Sequence, residues 1–230
     1  PAVNTAFTSF YQDRDGIRTA FAAMWGAVSA RFAGRPEVAG FDLLNEPPAT
    51  LPADQLSPLY DQLLADTIAA IRGAEAKAGS AFQHLIVVEP AVGFADQSNG
   101  IVIPDPARLG LSPIGFVAGP HNYAESIGGL PVTVEQLNKI YVDLATARGV
   151  PTWIGEYGYW NTDPKTLETV RREARSDDEL RIGGAWWQWR QSCGDPHAVQ
   201  WENGTVVAPG GTSVQLNLLG CPDNSDLGPN

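Results

Sequence analysis

The 230-residue chain is 43% hydrophobic and carries 26 acidic against 15 basic side chains, a net charge of −11. It is long enough to bury a substantial core. Its acidity argues against binding nucleic acid and against tight docking on anionic lipid, although neutral lipid stays open; no apolar run reaches the roughly 18–20 residues that span a bilayer.

The opening Pro1-Ala2-Val3-Asn4 reads as the mature or internal portion of a longer product. Ile17, Phe21, Met24, Trp25, Val28 and Phe32 then recur at helical spacing, and Gly34-Arg35-Pro36 ends that helix. A strand follows at about 38–45. Ser57-Pro58 reads as the N-cap and first position of a second helix, whose stripe is Leu59, Leu63, Leu64, Ile68 and Ile71, with Gly79 just past its end. His84–Pro90 is a buried strand, and 91–113 is a long loop of the kind more often functional than accidental.

Gly115–Ala118 leads into Gly119-Pro120-His121-Asn122-Tyr123. Thr133-x-x-Gln136 is a capping box for a helix carrying Val134, Leu137, Ile140, Tyr141 and Leu144, closed by Gly149. Val150–Gly158 is the next strand, Asp163-Pro164 opens a further helix, and Ile182–Trp187 is a final strand. Beyond about 195 the helical pattern stops, and Asn203-Gly204 suggests a hairpin turn.

Strand–helix alternation with short connections implies a parallel sheet with right-handed crossovers. Five strands fit either an open doubly wound sheet or part of a closed eight-stranded barrel. No glycine-rich phosphate loop follows any strand, so dinucleotide binding has no support.

Two glutamates stand where apolar strands run out, Glu46 in Asn45-Glu46-Pro47 and Glu156 in Trp153-Ile154-Gly155-Glu156-Tyr157-Gly158. Parallel sheets covered by helices place their chemistry at the strands' C-terminal ends, and two carboxylates delivered there are the parts needed to cleave a glycosidic bond. Period-two alternation sends His121 and Tyr123 to one side of their strand, and Trp187 and Trp189 to the side opposite Trp186. Trp187 is a candidate sugar platform, because an apolar ring face can stack on pyranose C–H groups. Trp160, just after the Glu156 strand, is a candidate for lining an aglycone groove. Glu89-Pro90 resembles the Glu46 strand end without the preceding Asn and reads as a subsite or structural carboxylate. His84 and His197 form no ligand cluster with acids at metal spacing, so no metal or cofactor is expected.

The order of Phe41–Pro47, His121-Asn122-Tyr123, Trp153–Gly158 and the tryptophan-rich last strand resembles strands four, six, seven and eight of glycoside hydrolase family 5, a (β/α)8-barrel family. Trp186–His197, with Leu219-Gly220-Cys221-Pro222-Asp223, is similar to its endoglycoceramidase branch. Asp15-Gly16-Ile17 through Trp25 and Arg31–Gly34 fit that branch too. The resemblance implies an α/β, (β/α)8 TIM-barrel fold of which residues 1–195 supply strands four to eight. It leaves 196–230 as a loop and hairpin segment closing the barrel, leading toward a C-terminal β-sandwich outside the sequence. The first three strands, with an Arg and a His near the sugar, also fall outside it.

The resemblance further implies a secreted, monomeric, retaining endo-β-glycosidase that separates oligosaccharide from ceramide, with at most transient contact with a membrane or micelle. Glu46 is then the acid/base and Glu156 the nucleophile, their carboxyl groups about 5–5.5 Å apart. While one carboxylate is ionised its charge favours the protonated form of the other, and forming the glycosyl ester removes that charge. Asn45 would donate to the sugar 2-hydroxyl; His121 and Tyr123 would position nucleophile and sugar. Cys193 and Cys221 are expected to pair, because a secreted chain oxidises its thiols and no metal or redox motif surrounds them. The rivals are another family 5 activity, such as β-glucanase, and a noncatalytic glycan-binding fragment. With three strands outside the sequence, unpaired barrel edges predict that 230 residues alone are poorly active.

Overall fold

The computed structural model describes residues 2–91, 103–109, 111–126, 131–159 and 165–188, with the strand segments 205–207 and 213–215. These fall into two compact units, Pro1–Pro120 with Tyr141–Trp153, and His121–Ile140 with Ile154–Asn230.

The first unit opens with α1 (Ala2–Tyr11), a helix that the sequence reading did not anticipate. Phe7, Phe10 and Tyr11 share its inner face at i, i+3 and i+4, and Tyr11 is fully buried. A short 3₁₀ turn (Arg14–Gly16) leads into α2 (Ile17–Phe32), as the periodicity predicts. The strand expected over 38–45 is shortened to β1 (Gly40–Asp42), flanked by one bond at each end, Leu85 N–H to the Ala39 carbonyl and Leu43 N–H to the Val87 carbonyl. Pro47 and Pro48 follow too closely for a longer ladder.

Helix α3 (Ala53–Lys77) begins a turn earlier than Ser57-Pro58 predicts. Leu56, 1% exposed, belongs to its buried stripe with Tyr60, Leu63, Leu64, Ile68 and Ile71, so burial carries the helix past the local stop. Ser57 is therefore no N-cap; its Oγ–H donates back to the Ala53 carbonyl at 2.7 Å, and Pro58 is internal. The C-terminus behaves as expected. Gly79 takes φ 69, Gly79 N–H reaches the Ala76 carbonyl and Ser80 N–H the Glu75 carbonyl, both at 3.0 Å. Helices α2 and α3 approach through small residues: a Cβ on Gly26 would sit 3.5 Å from that of Ala70.

β2 (Leu85–Val88) lies between β1 and β3 (Phe116–Ala118), parallel to both, with Phe41 opposite Ile86 and Val87 opposite Val117. The predicted run from Gly115 to Tyr123 is divided at Gly119-Pro120 into β3 and a second strand, β4 (His121–Asn122), because proline brings no N–H to a ladder. The five expected strands therefore become six.

In the second unit β4 pairs in parallel with β5 (Trp153–Tyr157), and β6 (Gly183–Trp186) adjoins β5. Helix α4 (Val134–Thr146), which belongs to this unit only as far as Ile140, carries the predicted capping box. Gln136 N–H donates to Thr133 Oγ1 at 3.3 Å, and Thr133 N–H to Gln136 Oε1 at 2.9 Å. Helix α5 (Thr166–Leu180) follows, whereas Asp163-Pro164 lies outside the described residues. A hairpin of β7 (Thr205–Val207) and β8 (Ser213–Gln215) is present, whereas Asn203-Gly204 lies outside the described residues. Among the described residues no helix is long and apolar enough to cross a membrane.

Candidate active site

In the first unit, the segment after β1 is held by three side chains from the helices before it. Trp25 Nε1–H donates to the Leu43 carbonyl at 3.1 Å, Tyr11 O–H to the Pro48 carbonyl at 3.0 Å, and Thr8 pairs with Thr50 at 2.9 Å. Within this frame Asn45 is exposed and Glu46 half-buried, so both are open to a ligand.

Glu46 takes φ 45, in the left-handed region that residues other than glycine seldom occupy. Its backbone N–H donates to Glu89 Oε2. Glu89, 3% exposed at the end of β2, thus makes a structural contact to the backbone of the Glu46 turn. Tyr60 O–H donates to the Glu89 carbonyl at 2.8 Å and ties this strand end to α3.

In the second unit, three predicted residues come together. The β4–β5 register puts His121 opposite Glu156, and His121 Nδ1 lies 3.5 Å from Glu156 Oε2. Tyr123 O–H donates to the same oxygen at 2.8 Å. A hydroxyl donating to a carboxylate stabilises its charged form and restricts its rotation. The Glu156 side chain keeps 20% exposure, so it is held but reachable.

Behind Glu156, Trp187 N–H donates to the Tyr157 carbonyl at 2.8 Å, and Tyr157 packs edge-on against Trp186 at 5.6 Å between ring centroids. Gly184 permits this, since a Cβ there would fall 2.7 Å from the Tyr157 ring. Trp187 is 43% exposed. Trp160, Trp189, Cys193 and Cys221 lie outside the described residues.

Three features escaped the sequence reading. Asn122, between His121 and Tyr123, faces the other way and is fully buried with Asn138 and Glu173. Burial is the main reason that the Glu173 carboxyl is pushed up to about 7; it also pushes Asp177 up to about 6. Arg172 grips both Glu125 and Glu135 and holds Glu135 down at about 2. Alternation alone could have exposed Asn122, since a residue flanked by two outward-facing ones points inward.

The chain matches the family Cellulase (glycosyl hydrolase family 5) over residues 4–192. It is 25% identical over 207 residues to Endoglycoceramidase I of Rhodococcus hoagii (strain 103S), covering 82% of this chain and 40% of that protein. Among solved structures it resembles an endogalactoceramidase at 33% identity and TM-score 0.76, over 94% of this chain and 49% of that one. Endo-glycoceramidase II from Rhodococcus sp., in its iminocyclitol complex, shares the fold at TM-score 0.64 and 23% identity, over 85% and 46%. The chain thus spans less than half the length of each of these relatives.

Proposed function

The chain belongs to glycosyl hydrolase family 5, and from that premise we propose that it is part of a retaining endo-β-glycosidase that cleaves between oligosaccharide and ceramide. On this reading β1, β2, the β3–β4 run, β5 and β6 are strands four to eight of a (β/α)8 barrel. Similarity to an endogalactoceramidase and to an endoglycoceramidase supports the glycolipid class.

The observation that carries the mechanism is the setting of Glu156. Tyr123 donates to one of its oxygens while His121 stands beside it, which holds the carboxylate in one orientation and leaves it accessible. Glu156 attacks the anomeric carbon and Glu46 protonates the departing glycosidic oxygen, giving a glycosyl ester on Glu156 and free ceramide. Glu46, now a carboxylate, takes a proton from water; the resulting hydroxide oxygen bonds to the anomeric carbon and the Glu156 ester breaks. Asn45 donates to the sugar 2-hydroxyl, and Trp187 stacks on a sugar ring, with Trp160 along the aglycone.

An aryl glycoside fluorinated at C2 tests this even at low turnover, because it accumulates the glycosyl ester. Peptide mapping should find the label on Glu156, and Glu156→Gln should abolish labelling without unfolding the chain. A label on any other carboxylate removes Glu156 as nucleophile. The family's cellulase description favours one second reading, a β-glucanase. Hydrolysis of a soluble cellodextrin but not of a fluorescent ganglioside would select it. Secretion and a Cys193–Cys221 bond belong to the same proposal; a full thiol titre in the unfolded, unreduced protein would remove the bond.

A further inference from the structure

Asn122, Asn138 and Glu173 are polar side chains with no exposure, supplied by β4, α4 and α5. Burying such groups is costly unless their bonds are made, and here they are made in one direction. At one end the Ala124 backbone N–H donates to Asn122 Oδ1 at 3.0 Å. A backbone donor cannot turn round, so the Asn122 carbonyl must face it and the amide nitrogen must point away.

That nitrogen donates to the Val134 carbonyl at 3.0 Å and to Asn138 Oδ1 at 2.7 Å. The Asn138 nitrogen must then face onward. It meets Glu173 Oε1 at 2.9 Å and Ser176 Oγ at 3.2 Å. Glu173 Oε2 accepts from Tyr159 O–H at 3.1 Å.

An apolar core would hold β4, α4 and α5 together as well. What it would not do is hold the Ala124 N–H. That bond, with Ser126 N–H donating to the Tyr123 carbonyl at 3.1 Å, turns the chain immediately after Tyr123. Tyr123 is the residue whose hydroxyl meets Glu156, and the ring is a long lever. A displacement of about 1 Å at a reacting group can cost on the order of 100-fold in rate.

We propose that Asn122, Asn138 and Glu173 form a one-way positioning relay that aims the Tyr123 hydroxyl at Glu156. The inference rests on Glu156 being the nucleophile. Its residues touch no substrate; they act through Tyr123.

Two readouts separate the relay from the reading beneath it. The first needs no chemistry: amide hydrogen exchange at Ala124, followed by NMR. Asn122→Asp keeps the shape but cannot donate to Val134 or Asn138, and should speed Ala124 exchange about tenfold or more. Glu173→Leu, which takes the shortest of its bonds from the Asn138 nitrogen and leaves the longer one to Ser176 Oγ, should do the same. Glu173→Gln keeps a carbonyl for Asn138 and should remain near wild type. The second readout is the rate of labelling by the fluorinated glycoside. It should fall roughly 10- to 100-fold in Asn122→Asp and Glu173→Leu with half-saturating concentration within about twofold, and recover in Glu173→Gln.

Wild-type Ala124 exchange in folded Asn122→Asp overturns the relay whatever the chemistry. Fast exchange with unchanged labelling overturns its link to Glu156. If Glu173→Leu does not fold, Asn122→Asp and Glu173→Gln decide the matter; a Glu173→Gln protein as impaired as Asn122→Asp overturns the directional argument. A wild type labelled away from Glu156 sinks the nucleophile assignment and leaves the exchange result standing.

Discussion

Helices α3 and α5 are built on opposite plans. Helix α3 buries a mainly apolar stripe, Leu56, Tyr60, Leu63, Leu64, Ile68 and Ile71, with Thr67 and Glu75 as its polar members. Helix α5 buries Thr169, Glu173 and Ser176 at i, i+4 and i+7, while Leu167 on the same helix stays 60% exposed. An apolar stripe contributes stability roughly in proportion to area and has no preferred direction. A polar stripe gains little net stability, but its donors and acceptors admit only certain partners. The first plan suits holding a sheet; the second suits aiming a side chain.

The contrast breaks first if α3 tolerates truncation. Ile71→Ala removes a fully buried side chain and should cost about 2–5 kcal/mol in denaturant unfolding, equally at all pH values. A loss below 1 kcal/mol would mean that α3 is not the anchor described.

The next effect is pH-dependent and belongs to α5. Burial raises Glu173 to about 7 from an ordinary 4.5, with Asp177, Glu135 and Tyr159 close by. Between those values the folded state binds more protons than the unfolded state, so stability must fall as pH rises. This contribution is complete below about pH 4.5 and lost above about 7, on the order of 3 kcal/mol across the window. Glu173→Gln should flatten that part of the stability–pH curve. An unchanged slope would remove Glu173 as its source.

Smaller still is the Arg172 clamp. Its partners are partly exposed, so Arg172→Ala should cost about 1 kcal/mol or less, and less again in salt. Glu135, held near 2, adds stability above about pH 4.5 that disappears as pH falls toward 2, and Arg172→Ala should remove that acid-side dependence. The smallest effect is at Leu167, where Leu167→Lys should change stability by no more than about 0.5 kcal/mol. A larger loss would show that α5 has an apolar anchor after all.

What was legible in the chain follows the same division. Apolar periodicity located α2, most of α3 and the strands, and local chemistry read Gly79 and the Thr133–Gln136 box correctly. Ser57-Pro58 misled because a local start signal was outweighed by burial of Leu56. Glu46, Glu156, His121 and Tyr123 were legible as strand-end residues, and the structure joins the last three. The relay was not legible. Glu and Asn in a helix read as solvent-facing, and only the partner elements reveal that Glu173 and Asn138 are inside.

The left-handed backbone at Glu46 has a further consequence. A residue with a Cβ gives up about 1–2 kcal/mol there relative to its usual conformation, a strain that glycine escapes and asparagine bears more readily. Selection for thermal robustness alone would therefore drift toward Gly or Asn at this position, and either would delete the proposed acid. Glu46→Gly should melt higher than Glu46→Gln; the reverse order would mean that the turn is unstrained. If the order holds, durability and chemistry are opposed at one residue, and the glutamate is there in spite of the fold.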